Sequence, residues 1–163
     1  MEQTERLKKI PPYLFMEINK KIAAAKAAGV DVISLGIGDP DLPTSPIVVD
    51  ELNRAAADSK NHQYPDYEGM FSFREAVSKW YKRLHNVTLD PDKEVLTLIG
   101  AKEGSLHLSL AVINPGDVAL VPDPAYTTYM TSTLLAGGTP HKMLLRAEEN
   151  FLPDFNSIPK DVA

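Results

Sequence analysis

EVLTLIGAKEGS, residues 94–105, reads as a buried strand, a tight turn and the first turn of a helix. Val95, Leu96, Leu98 and Ile99 make a short apolar run of strand-formers. Gly100 lets the backbone bend where a side chain would clash. The apolar run from Leu106 to Ile113 is expected to be helical, because no turn signal separates it from the loop. A strand, a glycine turn and a helix start gather free backbone N–H groups in one small bowl, and the helix dipole adds partial positive charge. Such a bowl suits a phosphate. Lys102 sits in it, at the helix end where a cation is normally disfavoured, so an anion would relieve it. An ordinary strand–helix connection with an exposed lysine, partly offset by Glu103, accounts for the same residues without a ligand. Helix starts are far commoner than anion sites.

Composition narrows the classes. The chain has 163 residues, 44% hydrophobic and 24% charged, which suits one globular domain with its own core. Its net charge of -5 argues against a nucleic-acid partner. It has no cysteine, hence no disulfide framework and no thiolate metal site. No apolar run is long enough to span a bilayer, and the polar start MEQTERLKKI has no signal-peptide core, so a cytoplasmic protein with no membrane partner is expected.

Outward from the central stretch, the pattern alternates between short strands and helices. Residues 1–10 are expected to be a mobile or docking arm. Pro11 and Pro12 then open a helix that runs to Gly29, with Tyr13 in its first turn. DVISL, residues 31–35, is predicted as a strand that enters the loop Gly36-Ile37-Gly38-Asp39-Pro40-Asp41-Leu42-Pro43. Glycine at 38 would let a ligand approach the backbone. Asp39 and Asp41 are expected to be solvated or turn-forming rather than metal ligands, with Pro40 between them. Ser45 and Pro46 start a second helix. Residues 58–69 form an exposed loop carrying Tyr64 and Tyr67, which could be ligand contacts or local packing. His62 is given no role.

Ser72 and Glu75 are expected to cap an amphipathic helix whose Trp80 enters the core. Asp90-Pro91-Asp92 turns the chain into the 94–99 strand. Asn114-Pro115-Gly116-Asp117 is a turn, Val118 to Val121 a buried parallel strand, 127–136 a helix, and Pro140 to Leu145 another strand. His141 and Lys142 are expected at a strand end or solvated edge, and Ser157 as the cap of a helix just beginning. Ligands in open α/β sheets gather beyond the carboxyl ends of strands, which puts Tyr126 beside the 100–102 bowl. A flat ring next to a phosphate site is what a phosphorylated aromatic cofactor would need.

Taken together, SLGIGDPDLPTSP, YPDYEGMFSFREAV, GAKEG and NPGDVALVPDPAYTTY resemble the N-terminal part of fold-type I, class I/II aminotransferases, which use pyridoxal 5'-phosphate. RLKKIPPYLFMEINKKI, DVISLGIGDPDLPT and FLPDFNSIP are similar, more narrowly, to the LL-diaminopimelate aminotransferases of lysine biosynthesis. The resemblance implies an α/β protein with an incomplete three-layer large domain. Residues 1–43 would form the arm and a small-domain segment, and 44–163 the first part of the large cofactor-binding domain. It implies that Ala101 and Lys102 hold the cofactor phosphate, that Tyr126 stacks on the pyridine ring, and that Tyr64 reaches the phosphate of the other subunit in a homodimer. Gly38 and Tyr13 would lie at the substrate site, which Lys102 and Tyr126 also border. The substrates would be an amino acid and a 2-oxo acid, with 2-oxoglutarate as amino acceptor.

The family's cofactor-bearing lysine falls past position 163, with the residues that pair with the pyridine nitrogen, the phenolate oxygen and the substrate α-carboxylate. No catalytic residue is therefore expected within the chain. Lys102 belongs to the phosphate side and is not expected to substitute. In the family's sheet, strand 94–99 is separated from the other two by strands from later in the sequence. The chain is thus read as a fragment that exposes strand edges, folds poorly alone and does not turn over substrate. Aspartate, alanine or aromatic specificity stays open. So does a non-catalytic binding module. A nucleotide-binding Rossmann-like domain is weaker, since neither GxGxxG nor GxxxxGK[ST] occurs.

Overall fold

A computed structural model describes residues 2–36, 38 and 40–162. Contacts divide the chain into two compact units, Pro12–Thr97 and Met1–Pro11 with Leu98–Ala163.

The second of these holds a β–α–β arrangement. Strand β1 (Val118–Asp123) pairs in parallel with β2 (Thr139–Leu144), Val118 opposite Thr139 and Asp123 opposite Leu144. Helix α6 (Thr127–Ala136) makes the connection, as parallel pairing requires a crossover. The turn before β1 forms as its sequence dictates: Asp117 N donates to Asn114 O, Pro115 fixes the first corner and Gly116 takes φ +101°. Helix α6 stops in a Schellman motif, in which Gly138 N donates to Thr133 O and Gly137 N to Leu134 O, with Gly137 at φ +94°. Glycine is needed at 138 for another reason, because a Cβ there would come within 2.6 Å of Ile113 Cγ2. Helix α5 (Ala101–Val112) packs along α6. Small hydroxyl residues make that closeness possible, since Thr128, Ser132 and Thr133 are the buried residues of α6. Val121 of β1, 6% exposed, is the buried apolar centre. A short helix α1 (Glu5–Lys8) docks on α6, Arg6 Nη1 donating to Leu135 O.

The other unit contains α2 (Leu14–Ala27), α3 (Pro46–Ala57) and α4 (Phe71–His85). Gly29, at φ +81°, follows the end of α2 as expected. Ser45 is the N-cap of α3, but its backbone carbonyl rather than its side chain takes the first bonds, from Val48 N and Val49 N. Asn86 at φ +55° ends α4. The Asp90 turn closes on itself: Glu94 N donates to Asp90 O, and Asp90 N donates to Glu94 Oε2.

Several expectations are corrected. Residues 94–99 form no strand: the segment pairs with no other described strand, and Ile99 is 98% exposed. Its one ladder-like bond is from Thr97 N to Glu68 O. Residues 31–35 are likewise unpaired, with Ile33 and Leu35 exposed. A strand needs a neighbour, and local sequence does not supply one. Ser72 does not cap α4; Met70 stands at the N-cap with no side-chain bond, and Glu75 pairs with Lys79 at 2.9 Å instead. Trp80 is 44% exposed and meets Tyr81 and His85 edge-on rather than entering a core. Tyr13 precedes the first turn of α2, as its N-cap. His141 and Lys142 lie inside β2 and not at its end, but β2 is an edge strand and Lys142 is exposed, so the solvated-edge alternative holds. Ser157 starts no α-helix: Asp154 caps a single 3₁₀ turn, Phe155–Ser157, through Asn156 N.

Candidate functional site

The site is built on the start of α5. Gly100 is the N-cap, at φ +143°, with no side chain to bond the first amides. Ala101 and Lys102 are the first two helical residues, the positions whose N–H groups point out of the start of a helix. The acid of this first turn is turned away from them. Glu103 Oε2 accepts from Ile99 N at 2.7 Å, and its other oxygen lies 3.8 Å from His107 Nδ1. A Cβ placed on Gly100 would meet nothing within 4 Å, so the space over the helix start is open.

Tyr126 comes from the end of β1. It is the N-cap of α6, following Pro122-Asp123-Pro124-Ala125. Its ring stands edge-on to Tyr129 at 6.0 Å. Lys102 Nζ lies 5.8 Å from its centre, within cation–π range. The sequence thus places the helix start and the aromatic together, with the lysine as the contact between them. A cavity of about 180 Å³ runs beside Tyr126, bordered by Val121, Asp123, Met130 and Lys142. Residues 100–102 do not line it. Lys142, two residues before the end of β2, pairs diagonally with Asp123 at the end of β1, at 3.0 Å. Sequence reading missed that pair, although parallel pairing of the two strands brings the two residues close.

Tyr13, Gly38 and Tyr64 belong to the other unit. Tyr13 is half exposed and tilts against Phe15 at 5.4 Å. Gly38 is exposed, with open space where a side chain would stand. Tyr64 and Tyr67 are fully exposed on the loop expected there. His62 Nε2 bonds Ala56 O at 2.8 Å. Asp39 lies outside the described residues, and Asp41 is exposed.

Sequence reading also missed Arg74. An arginine on an amphipathic helix ordinarily reads as solvated, yet Arg74 is buried. Its carbonyl partners, Gly69 at a separation of 5 and Pro91 at 17, fall at no motif spacing.

Residues 30–163 match the family described as aminotransferase class I and II. The chain belongs to that family. The LL-diaminopimelate aminotransferase of Halothermothrix orenii is 55% identical over 163 residues, all of this chain and 42% of that protein. The enzyme of the same name from Syntrophobacter fumaroxidans is 57% identical over 161 residues, again 42% of its length. Among solved structures, apo-BacF from Bacillus subtilis superposes with a TM-score of 0.90 at 36% identity, covering 99% of this chain and 42% of that one. Thermus thermophilus aspartate aminotransferase with maleate gives 0.84 at 27% identity, over 94% and 40%. The chain therefore spans about two fifths of the length of the curated relatives it matches, with the fold-type I architecture of an incomplete α/β domain.

The residues at the start of α5 fit a phosphorylated aromatic cofactor. Two helical amides, an open glycine cap and a lysine that touches an aromatic ring supply donors for a phosphate and a face for a ring.

Proposed function

We propose that the complete protein is a pyridoxal 5'-phosphate-dependent aminotransferase, an LL-diaminopimelate aminotransferase of lysine biosynthesis. It would move an amino group between an amino acid and 2-oxoglutarate. The observation that carries this reading is identity above 50% along essentially the whole chain to LL-diaminopimelate aminotransferases of several organisms. The solved aminotransferase of Staphylococcus aureus and the aspartate aminotransferase of Thermotoga maritima are 32% and 31% identical.

The cofactor, when bound, supplies the electron sink for transamination. This chain's own residues would bind and orient it. The amides of Ala101 and Lys102 would take phosphate oxygens at the positive end of α5, where donors are preorganised. Tyr126 would cover one face of the pyridine ring. Tyr64 would reach the phosphate in a second copy, which makes the working form a homodimer. Gly38 would present backbone to the substrate carboxylate, and Tyr13 would close the substrate side, with Lys102 and Tyr126 at its border. Residues 1–43 would belong with the arm and small domain, and 44–163 with the large domain. The compartment would be the cytoplasm. Among the described residues no helix is long and apolar enough to cross a membrane.

Purified complete protein tests this. A cofactor absorption band that borohydride abolishes is expected, with amino transfer from LL-diaminopimelate to 2-oxoglutarate faster than from aspartate, alanine or phenylalanine. Absence of the band would refute the cofactor; transfer confined to another donor would refute the specificity alone.

A further inference from the structure

Arg74, 6% exposed, is the one buried charged side chain among the described residues. It binds two stretches that are apart in sequence, Gly69 and Pro91-Asp92. Nε donates to Gly69 O at 3.1 Å, and Nη1 donates to Pro91 O and to Asp92 Oδ1, the latter at 3.1 Å. The guanidinium lies 5.4 Å from the centre of the Phe71 ring. Only a planar, forked donor can serve such divergent acceptors together.

Gly69 ends the loop that carries Tyr64. Its position is fixed from two more sides: Thr97 N donates to Glu68 O at 3.1 Å, and at φ +88° a Cβ on Gly69 would overlap the Thr97 side chain. At the loop's other end, Asn61 Nδ2 and His62 Nε2 bond Ala55 O and Ala56 O, both at 2.8 Å. Between these anchors the rings of Tyr64 and Tyr67 are fully exposed, and among the described residues neither is held by a hydrogen bond. The placement of Tyr64 is therefore set by the backbone, and the backbone by its two ends.

We propose that Arg74 is a positioning residue for Tyr64, holding the base of its loop so that the phenol meets the cofactor phosphate of a second subunit. This rests on the reading of Tyr64 given above. Arg74 touches no reacting atom; it acts through Gly69. Replacing it with lysine keeps the charge for Asp92 but loses the fork to Gly69 O and Pro91 O.

The test is a double-mutant cycle in the complete, cofactor-loaded protein, using R74K, Y64F and both together. The readouts are the dissociation constant for pyridoxal 5'-phosphate and the melting temperature. R74K is expected to weaken cofactor binding roughly tenfold, within the range for coupled positions of one network. In the Y64F background the same substitution should add nothing. R74M, which keeps a long unbranched side chain beside Phe71 but no donor, gives the same cycle should R74K not be recovered in soluble form. A variant that melts lower yet binds the cofactor as the parent does would overturn the proposal, as would independent, multiplying effects. Unchanged binding in Y64F would remove the role of Tyr64 and this proposal with it, whereas a weakened Y64F without coupling removes only the proposal.

Discussion

At the scale of single residues, two glycines carry opposite kinds of constraint. Gly100 faces open space, so its absent side chain leaves room over the helix start. Gly69 faces Thr97, so its absent side chain lets two segments touch. Gly69→Ala should therefore be costly twice over, through its left-handed φ and through overlap with Thr97. A loss of about 2–4 kcal/mol is expected in denaturant unfolding of the complete protein. A loss under 0.5 kcal/mol would mean that the 68–69 turn does not hold Thr97 as described. Tyr126→Ala is expected to weaken cofactor binding roughly tenfold, the scale of an aromatic stacking contact. Titration of the cofactor-free protein measures it, and unchanged affinity would remove the ring from the site.

At the scale of elements, α5, α6, β1 and β2 were legible in the sequence because their signals are local. Gly137-Gly138 ends α6, Pro115-Gly116 turns into β1, and the apolar run Val118 to Val121 is a strand, although Val118 and Leu120 are exposed and not buried on both faces as expected. The 31–35 and 94–99 segments have strand composition but no paired neighbour, and composition cannot supply one. The site was legible in the same proportion. Of the candidate residues, Ala101 and Lys102 follow from a helix start and Tyr126 from the end of β1, while Arg74 depends on carbonyls at 69 and 91 that no periodicity links to it.

The capping box at Ser72 failed for a related reason: α4 begins two residues earlier than that cap implies, which puts Ser72 inside the first turn. Ser72→Ala should then shift stability by no more than about 0.5 kcal/mol, against about 1 kcal/mol for loss of a true cap. On α3, Arg54 holds the Glu51 carboxyl below the usual carboxylate range, chiefly through a direct hydrogen bond. A depressed carboxyl stabilises the fold above its unfolded value and loses that contribution as pH falls through the folded value. Both side chains are exposed, so the effect is small and salt-screened. Glu51→Gln should remove that increment of acid sensitivity in low-salt melts below neutral pH and change nothing in high salt; equal pH dependence in both proteins would show the pair to be inert.

At the scale of the molecule, surface area decides. The chain exposes 13645 Å². A folded monomer of 17.9 kDa exposes about 8,000 Å², and two separate half-size domains together about 9,700 Å². The excess is apolar in large part: Ile47, Val48, Leu52, Leu96 and Ile99 are all exposed. Patches of that kind mark surfaces that other protein covers. The 163-residue chain expressed by itself should bind the dye ANS strongly, melt without a sharp transition and lack transaminase activity. A sharp melt with no dye binding would show that it buries its own surface in solution.

The constant offset in the β1–β2 pairing has a temporal meaning. Val118 meets Thr139 and Asp123 meets Leu144, so the whole ladder lies within one uninterrupted run of chain. Closing so short a loop costs little entropy compared with bringing distant strands together. During synthesis this ladder can zip up as soon as Leu144 clears the ribosome, without any contribution from the segments at 31–35 and 94–99.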